Sequence, residues 1–336
     1  MKKTVSIFCA IFVLLITFAG CGSGQGMPEP TETPVVQATE YTGVDIKIGA
    51  LKGPTGMGIS KLMKDSENGI TANHYQVELF SAPTDITGLL INGELDIAAV
   101  PTNLAATLYN KTKGGVKLLA LNTLGVLYVL EKGDTVHSIN DLAGKKICSS
   151  GQASTPEYAL NYVLEKNNIQ CEVEYFATHD ELVAQALAGK ADIILIPEPY
   201  VSTLLAKDAG FRIAVDFNAA WDAACNGEIL FSMGCLAVRT EFAQNNKEAL
   251  DKFVEEYTAS VEYVNANPKE AAGIIAEYGI VPSAEIAEAA IPNCNMVTVI
   301  NEEMKNKTIP FIQILFENNA SSVGGAIPGE DFYYTK

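Results

Sequence analysis

Two stretches of the chain share one pattern: Asn92-Gly-Glu-Leu-Asp-Ile-Ala-Ala-Val-Pro101 and Ala188-Gly-Lys-Ala-Asp-Ile-Ile-Leu-Ile-Pro197. In both, a predicted helix ends at a glycine, an aspartate precedes an apolar strand, and a proline ends that strand. Two βα units can resemble each other by chance. The agreement of the Gly, Asp and Pro positions favours an internal repeat instead.

The segments around the repeat extend the same order of elements. Val44–Leu51 alternates as a strand does, and Gly144–Ser150 is its counterpart in the second half. Each half is predicted as strand–loop–helix–strand–helix–strand, the order that builds a parallel sheet. Four helices are predicted to follow, at Glu241–Asn265, Lys269–Tyr278, Ser283–Ala290 and Asn301–Glu317.

Two long apolar segments connect the halves. Val116–Leu130 and Glu228–Arg239 are each long enough to leave one sheet and enter another. Two such crossings predict an α/β fold with two lobes, each a mostly parallel sheet flanked by helices, and a cleft with a hinge between the lobes.

The N-terminal segment is predicted to be an export signal. Lys2 and Lys3 precede an apolar run, and Phe18-Ala-Gly-Cys21 resembles a bacterial lipobox with Phe18 where Leu is usual. Cleavage would leave Cys21 as a lipidated N-terminus; a plain signal peptide or an uncleaved anchor is the alternative. The following Gly/Pro/Thr-rich segment is predicted to be a flexible tether. The predicted domains are 1–20 signal peptide, 21–43 tether, 44–124 first lobe, 125–235 second lobe and 236–336 return to the first lobe with the C-terminal helices.

Composition excludes several functions. The chain has 23 Lys plus Arg against 40 Asp plus Glu, a net charge of −17, which disfavours nucleic-acid binding. Only His74, His137 and His179 are present, and no CxxC, HExxH, GxSxG or GxxxxGK[ST] motif occurs. No metal site, cofactor, nucleotide site or enzymatic activity is therefore predicted. Among the cysteines, Cys225 and Cys235 are predicted to be free thiols, with a disulfide between them as the alternative.

Ligand-binding residues are predicted at six junctions between a strand and the next helix. In open α/β sheets, ligands bind outside the carboxyl ends of the strands, where helix N-termini offer free N–H groups. The alternative for each junction is an ordinary turn or helix cap. The loop at Thr178-His179 is one of the six, and the candidate residues are Gly53, Pro54, Thr55, Gly56, Met57, Ser81, Pro83, Thr84, Pro101, Thr102, Asn103, Ser150, Gln152, Ala153, Ser154, Thr155, Glu198 and Tyr200.

The arginine count restricts the ligand type. Arg212 and Arg239 are the only two, and neither falls in a junction loop, so a bidentate grip on a carboxylate is not predicted. Glu198 suits a ligand with N–H donors, or else it is an exposed acid in the first turn of a helix. Tyr158, Tyr200 and Trp221 are candidates for stacking on a flat ligand, with core packing as the alternative.

The chain resembles substrate-binding lipoproteins of ABC importers, within the nitrate/sulfonate/taurine/thiamine-precursor group. The resemblance covers almost all of residues 45–336 and is specific for the class, not for the substrate. It rests on Gly49–Met57, Gly93-Glu-Leu-Asp-Ile with Pro101, Ser150–Tyr158, Ala191–Tyr200, Met233–Phe242 and Ser322-Val-Gly-Gly.

The resemblance implies a type II periplasmic-binding fold. It also implies a monomer that is anchored through Cys21 at the extracytoplasmic face of a bacterial membrane, captures a small molecule and delivers it to a permease driven by a separate ATPase. The scarcity of arginine disfavours the assignment of a sulfonate or nitrate as the ligand. A lipid-anchored sensor remains an alternative, as does an enzyme on the same fold, similar to a menaquinone- or thiamine-pathway protein.

Overall fold

The strands form two separate sheets. The computed structural model describes residues 41–152 and 154–336. Sheet 1 contains β1 (Asp45–Leu51), β2 (His74–Phe80), β3 (Ile97–Pro101), β4 (Val116–Thr123), β10 (Gly234–Arg239) and β11 (Met296–Val299), in the order β11-β4-β10-β3-β1-β2. Sheet 2 contains β5 (Leu127–Lys132), β6 (Lys146–Ser150), β7 (Glu172–Phe176), β8 (Ile193–Pro197) and β9 (Phe211–Asp216), in the order β7-β6-β8-β5-β9.

Both sheets are mixed, which corrects the expectation of mostly parallel sheets. β1 lies parallel between β2 and β3, and β6 lies parallel between β7 and β8. β10 runs antiparallel to β3 and β4, and β5 runs antiparallel to β8 and β9. The reason is that the strand after each crossing enters the middle of a sheet from the opposite direction.

Helices cover the sheets, and the predicted α/β class is confirmed. The single helix predicted at Glu241–Asn265 is interrupted at Asn246, whose φ of −131° lies outside the helical range. Short 3-10 helices occupy Ile139–Leu142, Ile291–Asn293, Ala320–Val323 and Glu330–Phe332. The α-helices are α1 (Pro54–Met57), α2 (Ser60–Glu67), α3 (Pro83–Asn92), α4 (Thr102–Thr112), α5 (Thr155–Lys166), α6 (His179–Leu187), α7 (Tyr200–Lys207), α8 (Phe217–Ala224), α9 (Thr240–Asn245), α10 (Lys247–Ala266), α11 (Pro268–Glu277), α12 (Ala284–Ala290) and α13 (Asn301–Asn318).

The repeated pattern occupies equivalent places in the two sheets. β3 and β8 each lie between a parallel strand and the inserted antiparallel strand. Gly93 and Gly189 have φ of 80° and 70°, the left-handed conformation that favours glycine after a helix. Asp96 accepts hydrogen bonds from the Lys47 amide and from Arg239, both at 3.0 Å. This carboxylate therefore ties β1, β3 and β10 together.

The two crossings pack closely against their surroundings. Residues 124–126 join β4 to β5, and residues 225–233 join α8 to β10. A Cβ atom added to Gly125 would lie 1.7 Å from Asn218 Oδ1 and 2.5 Å from the Phe231 ring. Only glycine allows this approach of the first crossing to α8 and to the second crossing.

A third segment, which the sequence did not indicate, also contacts the first crossing. The Leu124 amide donates to the Asn295 carbonyl at 3.0 Å, and Asn295 Nδ2 donates to the Gly125 carbonyl at 2.6 Å. Asn295 immediately precedes β11, so the polypeptide beside sheet 1 is fixed to the crossing by two hydrogen bonds.

Trp221 belongs to the core. It is fully buried, stacks on Phe231 at 4.8 Å and meets Phe311 edge-on at 5.8 Å. Its Nε1 donates to the Ile229 carbonyl at 2.8 Å, which satisfies its polar atom. Tyr158 is also buried, and its hydroxyl accepts from Asn319 at 3.0 Å. Packing rather than ligand stacking therefore accounts for both aromatic side chains.

The described cysteines are free thiols, as predicted: Cys148, Cys171, Cys225, Cys235 and Cys294. Thr42–Lys336 form one compact unit, and the boundaries between lobes within it stay a prediction. The predicted signal peptide, most of the tether and Cys21 lie outside the described residues. Within 41–152 and 154–336, no helix has both the length and the apolar composition needed to cross a bilayer.

Candidate ligand-binding site

The six predicted junctions lie at two sheet edges that meet. β1, β2 and β3 are parallel neighbours, so their carboxyl ends share one edge of sheet 1; β6, β7 and β8 do the same in sheet 2. A Cβ atom added to Gly53 would lie 3.9 Å from Cδ of Pro199. The junction after β1 thus contacts the junction after β8, and the cleft lies where these edges face each other.

The junction after β1 presents Pro54 and Thr55, which are half-buried. Gly53 precedes α1 with φ 89° and ψ −157°, a conformation that L side chains rarely adopt. The Thr55 carbonyl accepts from Asn122 Nδ2 at 3.0 Å, which fixes the backbone of this junction to β4. A ligand role for Pro54 and Thr55 stays a prediction.

Gly56 and Met57, in contrast, have structural roles. A Cβ atom on Gly56 would lie 2.2 Å from the Leu51 carbonyl oxygen. The Met57 side chain is fully buried, and its Sδ lies 3.8 Å from Cys294 Sγ. Close packing against β1 and the C-terminal segment therefore occupies these two residues, and a ligand contact from either stays a prediction.

The other two junctions of sheet 1 differ in exposure. Ser81, Pro83 and Thr84 are exposed and follow β2, the edge strand of the sheet. Their side chains are open to solvent at the margin of the cleft, so a ligand role for them stays a prediction.

At the end of β3, internal contacts use the polar side chains. Thr102 is buried, and its hydroxyl lies 2.7 Å from the Ser232 hydroxyl in the second crossing. Asn103 Nδ2 donates to the Ser322 carbonyl at 3.2 Å. Pro101 is half-buried. Thr102 therefore links β3 to the crossing, Asn103 links α4 to the C-terminal segment, and a ligand role for either stays a prediction.

On sheet 2, three strand ends bring Ser150, His179 and Tyr200 together. Ser150 ends β6, His179 follows β7 and Tyr200 follows β8. Ser150 Oγ lies 2.5 Å from His179 Nδ1, and the His179 and Tyr200 rings are 5.0 Å apart. The Tyr200 hydroxyl donates to Asp180 at 3.4 Å. The sequence predicted the loop at Thr178-His179 as a junction, but it did not predict the His179 side chain as a ligand-binding group.

Burial fixes the charge of this histidine. It lowers the pKa of His179 below the ordinary value of 6.5, and the nearby Asp180 opposes that shift more weakly. The imidazole is therefore neutral at pH 7, and because Nδ1 faces Ser150, the ring offers Nε2 as its second hydrogen-bonding atom.

The N-terminus of α5 carries the remaining candidates of this lobe. Gln152 is exposed, and Ala153 lies outside the described residues. Ser154 is half-buried and its hydroxyl donates to the Gly151 carbonyl, while Thr155 is buried. This hydrogen bond lies within the loop, and Gln152 is the exposed side chain among the described residues of the loop.

Glu198 is internal rather than exposed. It is 1% exposed, and its carboxylate accepts from the Ser202 amide at 3.1 Å, the Ser202 hydroxyl at 3.0 Å and Asn293 Nδ2 at 3.0 Å. Burial raises the pKa of Glu198, and these donors partly offset the rise. The Asn293 carbonyl in turn accepts from the Tyr128 hydroxyl at 3.0 Å. The alternative of an exposed first-turn acid is wrong, because the buried carboxylate links α7 to the segment before β11; a ligand role for Glu198 stays a prediction.

Both arginines lie in ion pairs away from the junctions. Arg212 contacts Glu131 at 2.6 Å in sheet 2, and Arg239 contacts Asp96 at 3.0 Å at the amino end of β3. The structure thus brings neither guanidinium to the cleft, as the sequence indicated. Among the described residues, no group of three or more His, Cys, Asp or Glu side chains is placed to hold a metal ion.

The surface cavities of sheet 1 lie elsewhere. One is lined by Lys47, Gln76 and Glu94, among others, and a second by Lys111, Gly114 and Arg239, among others. These residues lie toward the amino ends of β1, β3 and β4, opposite the junctions. Because the strand ends that carry the convergent polar groups are at the other edge, we assign the candidate site to the junctions.

Comparisons with known proteins identify a matching family model and solved structures that share the fold. A family model described as menaquinone biosynthesis matches residues 69–290, more than half of the chain. No curated protein sequence matches. The fold is shared with an ABC transporter chain from Parabacteroides distasonis, which is 26% identical with a TM-score of 0.75; the match covers 87% of this chain and 99% of that one.

Two further solved structures share the fold at lower identity. The periplasmic aliphatic sulphonate-binding protein SsuA from Escherichia coli is 14% identical with a TM-score of 0.69, covering 87% and 92% of the two chains. The desulfurization enzyme DSZB is 11% identical with a TM-score of 0.60, covering 87% and 96%. The predicted periplasmic-binding-protein-like fold is confirmed, and an enzyme shares it.

Proposed function

The chain belongs to the family matched by the menaquinone biosynthesis model, and we propose that it acts as a solute-binding protein of an ABC importer rather than as an enzyme. It captures a small molecule between the two sheet edges and delivers it to a permease driven by a separate ATPase. The observation that carries the proposal is the likeness to the P. distasonis ABC transporter chain, which extends over 99% of that chain.

Capture follows from contact with both sides of the cleft. Thr55 from sheet 1 and Ser154 or Thr155 from sheet 2 are proposed to touch the same ligand. A ligand shifts the balance between open and closed forms only if it binds them unequally, so it must contact both sheets. The hinge is proposed at the two crossings, near residues 122–126 and 230–236, with Asn295 bound to the first of these segments.

The proposed anchor is a lipid on Cys21 at the extracytoplasmic face of a bacterial membrane. The basic and apolar residues before Cys21 support it. Cys21→Ser is expected to release the full chain from the membrane fraction and to abolish incorporation of labelled fatty acid. Retention of the variant in the membrane would contradict lipid anchoring and favour an uncleaved signal segment.

Binding is tested by thermal unfolding with the low-molecular-weight fraction of growth medium. A ligand at a hundred times its Kd adds about 2.7 kcal/mol to the free energy of unfolding. The expected result is a rise in Tm that dialysis reverses. Deleting the gene should also abolish uptake of that solute. If the protein were a sensor instead, uptake would persist in the deletion strain once the uptake system is expressed artificially.

A second candidate, an enzyme on this fold, is favoured by the description of the matched family model and by one contact. Ser150 Oγ lies 2.5 Å from His179 Nδ1, close enough for proton transfer. Prolonged incubation with the bound solute followed by mass spectrometry decides between the two. Recovery of the unchanged solute supports binding and delivery, and a product that disappears with His179→Ala supports catalysis.

A further inference from the structure

The polar groups at the cleft point to a ligand class. Resting on the proposed binding function, we propose that the cleft takes an uncharged, flat small molecule rather than a sulfonate or carboxylate. This molecule hydrogen-bonds to His179 Nε2 and packs against the Tyr200 ring. The sheet 2 edge supplies that recognition, and the sheet 1 edge closes over it.

The N-termini of α6 and α7, the helices that begin at His179 and Tyr200, already have acceptors within the chain. At α6, Thr178 Oγ1 accepts from the Glu181 amide at 3.1 Å, and the Glu181 carboxylate accepts from the Ala177 amide at 3.0 Å. At α7, the Glu198 carboxylate accepts from the Ser202 amide at 3.1 Å. A ligand anion would have to displace these carboxylates from the positive ends of two helix dipoles.

The charge around the cleft opposes an anion as well. Lys52 is the single cationic side chain of the six junctions, and both arginines are paired elsewhere. A buried anion needs a paired charge or several donors, and a field of negative sign lowers its local concentration. The carboxylates of the same junctions and of the first helical turns that follow them are Asp85, Glu157, Asp180, Glu181 and Glu198.

One ring atom at the sheet 2 edge is left for a ligand. Among the described residues, Nε2 of His179 has no hydrogen-bond partner, whereas Nδ1 contacts Ser150 at 2.5 Å. The neutral ring makes one hydrogen bond through Nε2, as donor or acceptor according to its tautomer. Tyr200 lies 5.0 Å from the imidazole and provides an aromatic surface beside that atom. An amide or ring nitrogen of a flat, neutral molecule matches both groups.

The test uses ligands that differ only in charge. Titration calorimetry on the full-length chain in detergent micelles compares nicotinamide with nicotinate and pyridine-3-sulfonate, and equivalent series on pyrimidine, purine and tricyclic rings. At least one neutral member is expected to bind, at least tenfold more tightly than its anionic counterparts. An anion that binds as well as its neutral counterpart would overturn the proposal.

Variants test the role of His179 directly. His179→Ala should weaken binding of the neutral ligand about tenfold, the value of one hydrogen bond at this site. His179→Gln should retain part of the affinity because it keeps a neutral polar group. His74→Ala, at the exposed start of β2, is the matched control and should leave affinity unchanged. Equal affinity of the His179→Ala and unmodified chains would exclude the Nε2 contact.

The outcome separates the ligand class from the proposed function. A Tm shift caused by the growth-medium fraction, with no binding in any neutral series, would refute the class while solute binding stands. No Tm shift with the growth-medium fraction, together with no binding in any ligand series, would count against both the ligand class and the proposed function.

Discussion

The two edges of the cleft carry similar residues but hold them differently. On sheet 1, Thr102 is buried, and its hydroxyl lies 2.7 Å from the Ser232 hydroxyl inside the protein. On sheet 2, Ser150 is bound to His179 at 2.5 Å, and that contact leaves the second ring nitrogen open. Sheet 1 therefore contributes a closely packed surface, whereas sheet 2 contributes hydrogen-bonding specificity. Matching chemistry in the sequence does not imply matching roles.

The largest expected effect tests the packing of the sheet 1 edge. In Gly56→Ala, the new Cβ would lie 2.2 Å from the Leu51 carbonyl oxygen, and the backbone must shift. We expect the free energy of unfolding in urea to fall by about 3 kcal/mol.

Gly88→Ala in α3 is the control for that substitution. No atom lies within 4 Å of its added Cβ, so the change should stabilise by about 0.5–1 kcal/mol through helix propensity. Equal effects of the two substitutions would mean that the sheet 1 edge is as loosely packed as the surface of α3.

The next effect tests the link between the two sides. Asn293→Ala removes the amide that donates to the buried Glu198 carboxylate at 3.0 Å, and should cost about 1.5–3 kcal/mol in urea unfolding. Asn293→Asp should cost more at pH 7 than at pH 5, because a second carboxylate repels Glu198 until one is protonated. A pH-independent cost of Asn293→Asp would contradict a charged Glu198.

The Thr102–Ser232 pair is expected to show coupling. Thr102→Val leaves the buried Ser232 hydroxyl without its partner and should destabilise by about 1–2 kcal/mol. Adding Ser232→Ala should cost less than the sum of the single changes. Thr102→Val should leave ligand affinity unchanged, and a tenfold loss would transfer recognition to sheet 1.

Protonation offers a smaller and directional test of sheet 2. The pKa of His179 is lowered below 6.5, so the unfolded chain binds the proton first, and stability falls as pH drops below about 6.5. The pKa of Glu198 is raised above 4.5, so its protonation acts in the opposite direction at lower pH and favours the folded chain. The His179→Gln substitution should remove only the first of these two pH dependences, as measured by urea unfolding of the unmodified and substituted chains.

The smallest effect is expected at the end of β2. Ser81→Ala and Thr84→Ala alter exposed side chains and should change the free energy of unfolding by no more than about 0.5 kcal/mol. A change in ligand affinity with either variant would extend the recognition surface to the edge strand of sheet 1.

The sequence predicted much of the fold because its signals are local. The Gly93 and Gly189 helix ends, the apolar strands after them and the four C-terminal helical regions all occur within a few residues of the predicted places. β11 was missed because four residues, Met296–Val299, are too short for a recognisable alternation. The contact between Ser150 and His179 joins residues 29 apart, so it depends on tertiary structure.

The same limit explains what the sequence did not show within the candidate site. Met57 follows Gly56 in a junction, but its side chain packs against Cys294, which lies far along the chain. Glu198 was predicted to face a ligand or else to be an exposed first-turn acid, yet it is buried and Asn293 reaches it from the segment before β11. Side-chain direction at these positions is set by elements that no local pattern reveals.

The strand that joins the two halves of sheet 1 lies late in the chain, and this sets an order of assembly. β10 separates β3 from β4, yet it ends at Arg239, more than a hundred residues after β4 ends at Thr123. A chain synthesised only as far as β9 has all of sheet 2, while β3 and β4 still lack the partner between them. Their unpaired edges invite pairing with other chains, and the long loop to be closed slows the search for β10. Truncations before residue 234 should therefore aggregate, whereas sheet 2 can form before sheet 1 is finished.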